Sequence, residues 1–194
     1  YLFGFLDLKK DSSGLYVFDV YCQKYYRRSD FDHGHEIGPG QIPDPNLINA
    51  EHTWPQSKFT NKDSKVMQKS DLHALFPVGA RVNSLRNNLD LGEVNSVTQD
   101  SCDASRRGYP VDSDDQVFEP PSQHKGNAAR AMFYFATRYK GRISQQMEKT
   151  LRAWHNQDPV DAEELERHEK VFEYQKVRNP FVDHPELVNA ITDF

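Results

Sequence analysis

Glu51-His52-Thr53-Trp54-Pro55-Gln56-Ser57, entered from the apolar Leu47-Ile48-Asn49-Ala50, is the stretch on which the reading of this chain turns. An apolar run that closes on an acid and an imidazole and is then stopped by a proline reads as a strand end. On a regular strand, adjacent side chains point to opposite faces. A strand end beside a proline can instead set Glu51 and His52 on two sides of one small cavity. Such a pair suits a hydrolase in which the carboxylate holds a hard cation and the imidazole takes a proton from water. Taken alone, a Glu-His pair is more often structural, so its neighbours decide.

Downstream, Ser70-Asp71-Leu72-His73-Ala74-Leu75-Phe76-Pro77 alternates apolar and polar side chains and predicts a strand with one polar face. It runs into Val82-Asn83-Ser84-Leu85-Arg86-Asn87-Asn88, which offers amide oxygens for Mg²⁺ or Ca²⁺ and a guanidinium suited to phosphate. An Asn-rich stretch is by itself usually just a turn. Further on, His124-Lys125-Gly126-Asn127-Ala128-Ala129-Arg130 follows Phe118-Glu119-Pro120-Pro121 and predicts a helix opening at about Gly126, a possible anion cradle. His33-Gly34-His35-Glu36 has the look of a metal clip, but it lies in a Gly/Pro-rich stretch from Asp32 to Pro45 and reads better as a surface loop.

The 194 residues suit one domain and can bury a core without help from metals. With 37% hydrophobic and 27% charged residues and a net charge of −5, the chain is globular and does not coat nucleic acid by bulk charge. Its cations are nevertheless clustered. Lys125, Arg130, Arg138, Lys140, Arg142, Lys149 and Arg152 face only Glu148 within their segment, and a second basic segment spans Lys58 to Arg86. Together they point to a confined anion-binding face.

Residues 1–60 carry β-like runs such as Leu15 to Tyr21, residues 61–120 read as polar and irregular, and helices follow. One starts near Gly126, one covers Ser144 to His155, one runs from an Asp161 N-cap to about Val177, and a short one follows Pro185. Arg130, Tyr134 and Arg138 share a helix face, which reads as a solvated stripe. Cys22 and Cys102 either close one long-range disulfide in an exported protein or remain buried thiols. No apolar run approaches the roughly 20 residues that cross a bilayer. The chain starts at Tyr1, which suggests a processed or trimmed N-terminus without a signal peptide.

In this order, EHTWPQS at 51–57, SDLHALFP at 70–77, VNSLRNN at 82–88, FEPP at 118–121 and HKGNAARAMFYF at 124–135 resemble the blocks of the endonuclease I family of secreted and periplasmic bacterial nucleases. So do Asp19-Val20-Tyr21-Cys22 and the stretch from Arg178 to Pro185, and the likeness covers nearly the whole chain. It implies an α+β fold, with a ββα-metal (His-metal finger) core in a single domain over residues 1–194. Position by position, it implies His52 as general base, and Glu51 and Asn83 as the protein ligands of one Mg²⁺, with Mn²⁺ or Ca²⁺ as alternative ions. Arg86 would serve phosphate or structure, Asp71 and His73 would support the site, and Lys125, Arg130 and Arg138 would contact substrate.

The activity so implied is non-specific cleavage of DNA, and of RNA as well, leaving 5′-phosphates, by an exported monomer with no membrane partner. Two rivals are a member of the family that prefers RNA and an inactive nucleic-acid-binding protein. Two departures stand out. Some relatives carry several disulfides, and others place a leaving-group arginine in an insertion that this chain lacks. Lys58, Arg86 and Arg130 are the candidates to replace that arginine.

Overall fold

A computed structural model describes residues 1–194, the side chain of Ser101 excepted. It begins with an antiparallel meander of β1 (Leu8–Asp11), β2 (Gly14–Asp19) and β3 (Lys24–Arg27). On β2, Val17 and Asp19 are buried while Tyr16 and Phe18 are half-buried, so the strand's period of two divides an inner face from an outer one. Val17 packs inward with Phe31, Ile37 and Ile48.

Next comes β4 (Ile48–His52), followed by the short helix α1 (Lys65–Ser70), β5 (Leu75–Gly79) and α2 (Ala80–Arg86). Strands β4 and β5 pair antiparallel with Glu51 opposite Phe76 and His52 opposite Leu75. Helix α2 leaves β5 without a loop. A third sheet has the order β6 (Asp90–Leu91), β9 (Val117–Glu119), β8 (Ser105–Tyr109), β7 (Ser96–Cys102), with β6 and β9 parallel.

The core is organised by α3 (Ser122–Tyr139), which is buried around most of its circumference, as expected of a helix with neighbours on all sides. It packs against α4 (Gln145–Gln157), and around it run α5 (Ala162–Gln175), α6 (Pro180–Asp183) and α7 (Leu187–Ala190). Ser144 and Asp161 cap α4 and α5 by accepting from Met147 N and Glu164 N, as their positions before the apolar periods predict. Ring contacts weld α3 to the rest: Trp54 stacks on Phe135 at 5.1 Å between centroids, and Phe133 meets Phe194 tilted at 4.3 Å.

Four expectations need correction. Residues 61–120 are not irregular; they hold α1, α2 and five strands. The described side chains at one edge, from Ser96 to Asp100 on β7, are exposed, so no apolar alternation marks that strand. Leu72–Ala74 is a 3₁₀ turn and not strand, held by Asp71 accepting from His73 N, and the whole run from Asp71 to Gly79 is buried with no polar face. Helix α3 starts at Ser122, directly after Pro121, so Gly126 lies inside it rather than at an open N-terminus. A Cβ at Gly126 would come within 1.9 Å of the Asp158 carbonyl, so the glycine serves a close backbone approach and no anion cradle exists there. Finally, Arg130 and Tyr134 are buried, so the predicted stripe is not solvated.

Cys22 and Cys102, 80 residues apart, are joined as a disulfide, with Cα atoms 5.6 Å apart. The bridge ties the turn after β2 to the end of β7. No helix is long and apolar enough to cross a membrane among the described residues.

Candidate active site at the end of β4

Glu51 is buried near the end of β4, where its strand direction carries it into the protein. Its Oε1 accepts from the Tyr21 hydroxyl at 2.9 Å and lies 3.2 Å from Arg86 Nη1. Both side-chain contacts fall on Oε1, so Oε2 keeps no side-chain partner among the described residues. Burial pushes the Glu51 carboxyl upward, while Arg86 and Tyr21 pull it down without cancelling the burial. A second positive charge at Oε2 would hold it ionised.

Arg86, one of the most deeply buried side chains, ends α2 and clasps the strand end. It donates to the carbonyls of His52 at 3.0 Å and Thr53 at 2.6 Å, which sets the backbone on both sides of the imidazole. Only its Nε, buried, has no partner. Asn83, one turn earlier on α2, turns its amide nitrogen back onto β4, to Asn49 Oδ1 at 2.6 Å and to the Ala50 carbonyl at 3.4 Å. With its donors directed there, Asn83 Oδ1 is the end left to accept.

His52 is half-buried on the other face of β4. Its Nε2 lies 3.0 Å from the Lys69 carbonyl, which can only accept, so Nε2 carries the proton and Nδ1 the lone pair. The Gln56 amide nitrogen lies 3.3 Å from that Nδ1. Burial lowers the affinity of the ring for a second proton, with the Lys69 and Arg86 charges adding to the effect. A carboxylate and an amide oxygen held by α2 and Tyr21, and an imidazole whose Nε2 is held by the end of α1, thus all belong to the end of β4 or pack against it.

The other expected site residues lie apart from this group. Asp71 is a buried hub: Tyr134 and Tyr139 donate to its Oδ2 at 2.8 and 2.6 Å, and Gln175 donates to Oδ1 at 3.2 Å. It fixes the turn that follows Lys69, and so reaches His52 only through the backbone. His73 bonds the Val177 carbonyl at 2.8 Å and packs on Tyr134; burial lowers it to about 4.

Of the expected substrate contacts, Arg130 is enclosed, with both Glu164 oxygens at 2.8 and 2.6 Å and the Asp158 carbonyl at 2.8 Å. It has no surface on which to meet a substrate. Lys125 is held between Glu93 and Glu119 at 2.7 and 2.8 Å. Arg138 stays partly open, 3.5 Å from Asp71. His33 and Glu36 form a local pair at 3.1 Å in a surface loop.

The acidic and histidine side chains that gather most tightly among the described residues are His168, Glu169 and Asp183. That cluster already holds a cation, because Arg178 meets both Asp183 oxygens at 2.8 and 2.6 Å and both Glu169 oxygens at 2.6 and 3.1 Å.

Sequence reasoning passed over Tyr21, Asn49 and Gln56. Asn49 had one signal, a polar side chain inside an apolar strand, and Gln56 lies four residues after His52. Tyr21 had none, since a buried tyrosine in a β-run is indistinguishable from core.

Comparison with known proteins bears on the same residues. The sequence model of the family described as Endonuclease I matches residues 5–186. An extracellular ribonuclease of Bacillus amyloliquefaciens is 35% identical over 161 residues, 74% of this chain and 53% of the relative. Its namesake in Bacillus subtilis (strain 168) is 37% identical over 161 residues, with the same coverage. A periplasmic deoxyribonuclease of Aeromonas hydrophila is 31% identical over 116 residues, 59% of this chain and 48% of the relative. The chain spans about half the length of the curated relatives it matches. With a match that takes in Glu51, His52, Asn83, Arg86 and nearly every element around them, the chain belongs to the endonuclease I family.

Proposed function

We propose that this chain is a metal-dependent endonuclease that hydrolyses phosphodiester bonds of DNA and RNA with little sequence preference. In this reading residues 1–194 form a single exported domain, and β4, β5 and α2 are its ββα-metal core. The observation that carries the reading is the 3.0 Å approach of His52 Nε2 to the Lys69 carbonyl, from which we infer a proton on Nε2 and a lone pair on Nδ1. That is the state a general base requires.

The donors beside it fit a hard cation. Glu51 Oε2 and Asn83 Oδ1 are oxygens, and no thiolate or second imidazole accompanies them, as Mg²⁺ prefers and Mn²⁺ or Ca²⁺ accepts. Bound there, Mg²⁺ would supply positive charge to the pentacovalent phosphorus and the leaving 3′ oxygen. His52 takes the proton of the attacking water at Nδ1, displacing the long Gln56 contact. Lys69 keeps the ring from rotating. Arg86 does not reach the phosphate; it holds the His52 and Thr53 carbonyls and offsets the Glu51 charge. The products carry 5′-phosphate and 3′-hydroxyl ends.

Backbone contacts would come from exposed cations near the site, Lys69 on α1 and Arg81 on α2, together with Arg138. Such contacts weaken steeply as salt rises, because each releases condensed counterions. An RNA-preferring enzyme is the second reading, favoured by the higher identity of the two extracellular ribonucleases, 35% and 37%, against 31% for the periplasmic deoxyribonuclease. The relatives' extracellular and periplasmic names and the Cys22–Cys102 disulfide support export.

Parallel digestion of duplex DNA, single-stranded DNA and RNA, with Mg²⁺, Mn²⁺, Ca²⁺ or EDTA, tests the proposal. Cleavage of at least one substrate that EDTA abolishes and Mg²⁺ restores is expected. Undiminished cleavage in EDTA, or none under any condition, would refute it.

A further inference from the structure

A cavity of about 330 Å³ lies between β2, β5 and the opening turns of α3 and α5. Its apolar walls are the rings of Phe18 and Phe76. Its uncharged polar lining is Gln23, Gln123, Asn127 and His124, and charged side chains at the first strand and α5 complete it. His124 is 4% exposed, and its Nε2 is buried without a hydrogen-bond partner, the costliest kind of polar atom to leave unmatched in a folded chain. Its ring meets Phe76 edge-on at 4.7 Å, which sets the imidazole against an aromatic wall. Gln23 donates to Gln123 Oε1 at 2.6 Å, which uses one end of each amide and leaves the other.

Most charged groups at the rim are paired. Arg167 grips both oxygens of Asp7, Arg130 grips Glu164, and Lys9 and Lys170 bridge to Glu163 and Glu166. A phosphate or a carboxylate finds no spare cation here; Asp161, which caps α5 through Oδ1, is the one lining acid without a cation on it among the described residues. What remains is two aromatic walls with amide and imidazole donors and acceptors between them, which matches a flat, neutral, polar heterocycle.

Phe18 also belongs to the outer face of the first sheet. There its ring is 5.0 Å from Tyr25, which is 5.1 Å from Tyr16 and half exposed. Lys24 and Arg27 lie against rings of the same strands, Lys24 over Tyr26 and Arg27 over Tyr16. Arg27 is tied to Asp11, so what the row offers is its rings, a platform on which unstacked bases stack.

We propose that this cavity binds a single unpaired nucleobase, with the Tyr16–Tyr25–Phe18 row stacking its neighbours, as a site separate from the Glu51–His52 centre. This rests on the reading of the chain as a nuclease, which makes nucleic acid its ligand. The base enters between Phe18 and Phe76, and its hydrogen-bonding edge meets His124, Asn127 and the free amide ends. The base comes either from a single-stranded substrate or from a released nucleoside.

Titration of the metal-free enzyme in EDTA with 2-aminopurine riboside, followed by the fluorescence of the probe, tests this without cleavage. Saturable quenching is expected, reversed by adenosine or uridine and not by ribose 5-phosphate. Asn127→Leu fills the cavity from the side, and Phe18→Ala removes one wall. Each should weaken binding at least about fivefold, the low end of what one base–aromatic stack contributes, while an unchanged melting curve shows the variant folded. Should either variant unfold, Gln123→Ala on the exposed first turn of α3 takes its place, with the same expected direction.

A single-stranded hexanucleotide carrying one internal 2-aminopurine separates the two sources. Tighter binding than the riboside assigns the site to substrate strands, and equal binding assigns it to nucleosides. Absent quenching, competition by ribose 5-phosphate as effective as by adenosine, or wild-type affinity in folded variants would overturn the inference. Nucleoside binding by a chain that cleaves nothing would refute the nuclease reading and leave this site standing. Cleavage without nucleoside binding would do the reverse.

Discussion

Two buried arginine–carboxylate pairs differ in a way that separates structure from chemistry. Arg130 and Glu164 meet through two parallel hydrogen bonds that use both carboxylate oxygens, and the Asp158 carbonyl takes a third donor of the guanidinium. Arg86 and Glu51 meet at one oxygen, which Tyr21 shares. The first pair is saturated and can only hold α3 to α5. The second leaves Glu51 Oε2 without a side-chain partner among the described residues, on the strand end that also carries His52 and that Asn83 touches at Ala50. Both pairs are buried, so burial alone does not distinguish them; the number of side-chain contacts on the carboxylate does.

The largest effect that tests this contrast belongs to His52. His52→Ala should lower the cleavage rate by roughly 10²–10⁴-fold, the usual contribution of a general base, with little change in melting temperature and in metal or DNA binding. Cleavage of plasmid DNA at the wild-type rate by that variant would break the assignment.

Arg130→Met should act oppositely, on folding. It strands Glu164 in the core, and losing one partner of a buried pair costs about 3–5 kcal/mol, read from urea unfolding. A shift under about 1 kcal/mol, near the value of an exposed pair, would mean that the Glu164 site is wetter than described.

Acid should weaken the fold through histidines that are buried uncharged. His73 is lowered to about 4, mainly by burial, with His168 and Arg167 opposing its charge and Asp71 favouring it. His124 is lowered to about 3 by burial, Arg167 and Arg130. An unfolded histidine takes up its proton near pH 6.5. Between there and pH 3–4 the unfolded chain therefore binds protons that the folded chain refuses. Stability falls as pH drops through that window, by at most about 1.4 kcal/mol per pH unit for each histidine, and levels off below it. Unfolding midpoints measured from pH 7 to 4 give the slope, and His73→Gln should make it shallower.

The smallest effect sharpens the contrast most. Tyr21→Phe removes the hydroxyl on Glu51 Oε1 and leaves Arg86 in place. The Mg²⁺ concentration for half-maximal cleavage should rise a few fold, and the Mg²⁺-induced rise in melting temperature should shrink with it. Glu51→Gln should move both readouts further in the same direction.

Much of this contrast was legible beforehand, and its limits have physical causes. The local order of Glu51, His52, Asn83 and Arg86 could be read because their blocks are contiguous, and one hairpin and one helix bring them together. The two helix caps at Ser144 and Asp161 were visible because a capping side chain acts within three residues. The fate of Arg130 was not, because Glu164 lies 34 residues on, and an arginine on a helix looks the same whether it faces water or a carboxylate. Asp71 and His73 looked like a polar strand face for a similar reason: the two tyrosines and the Val177 carbonyl that satisfy them come from distant segments.

The chain's own order of residues therefore determined the family likeness, the acid–imidazole pair, the helix starts at Ser144 and Asp161 and the two cysteines. Each of these is set by neighbours within a few positions or by identity alone. Tertiary structure decided which cations are spent in ion pairs, which nitrogen of His52 holds the proton, which oxygen of Glu51 stays open, and that Cys22 meets Cys102. Those outcomes depend on partners tens of residues away, and hydrogen-bond saturation is a property of the assembled neighbourhood, which no single segment carries.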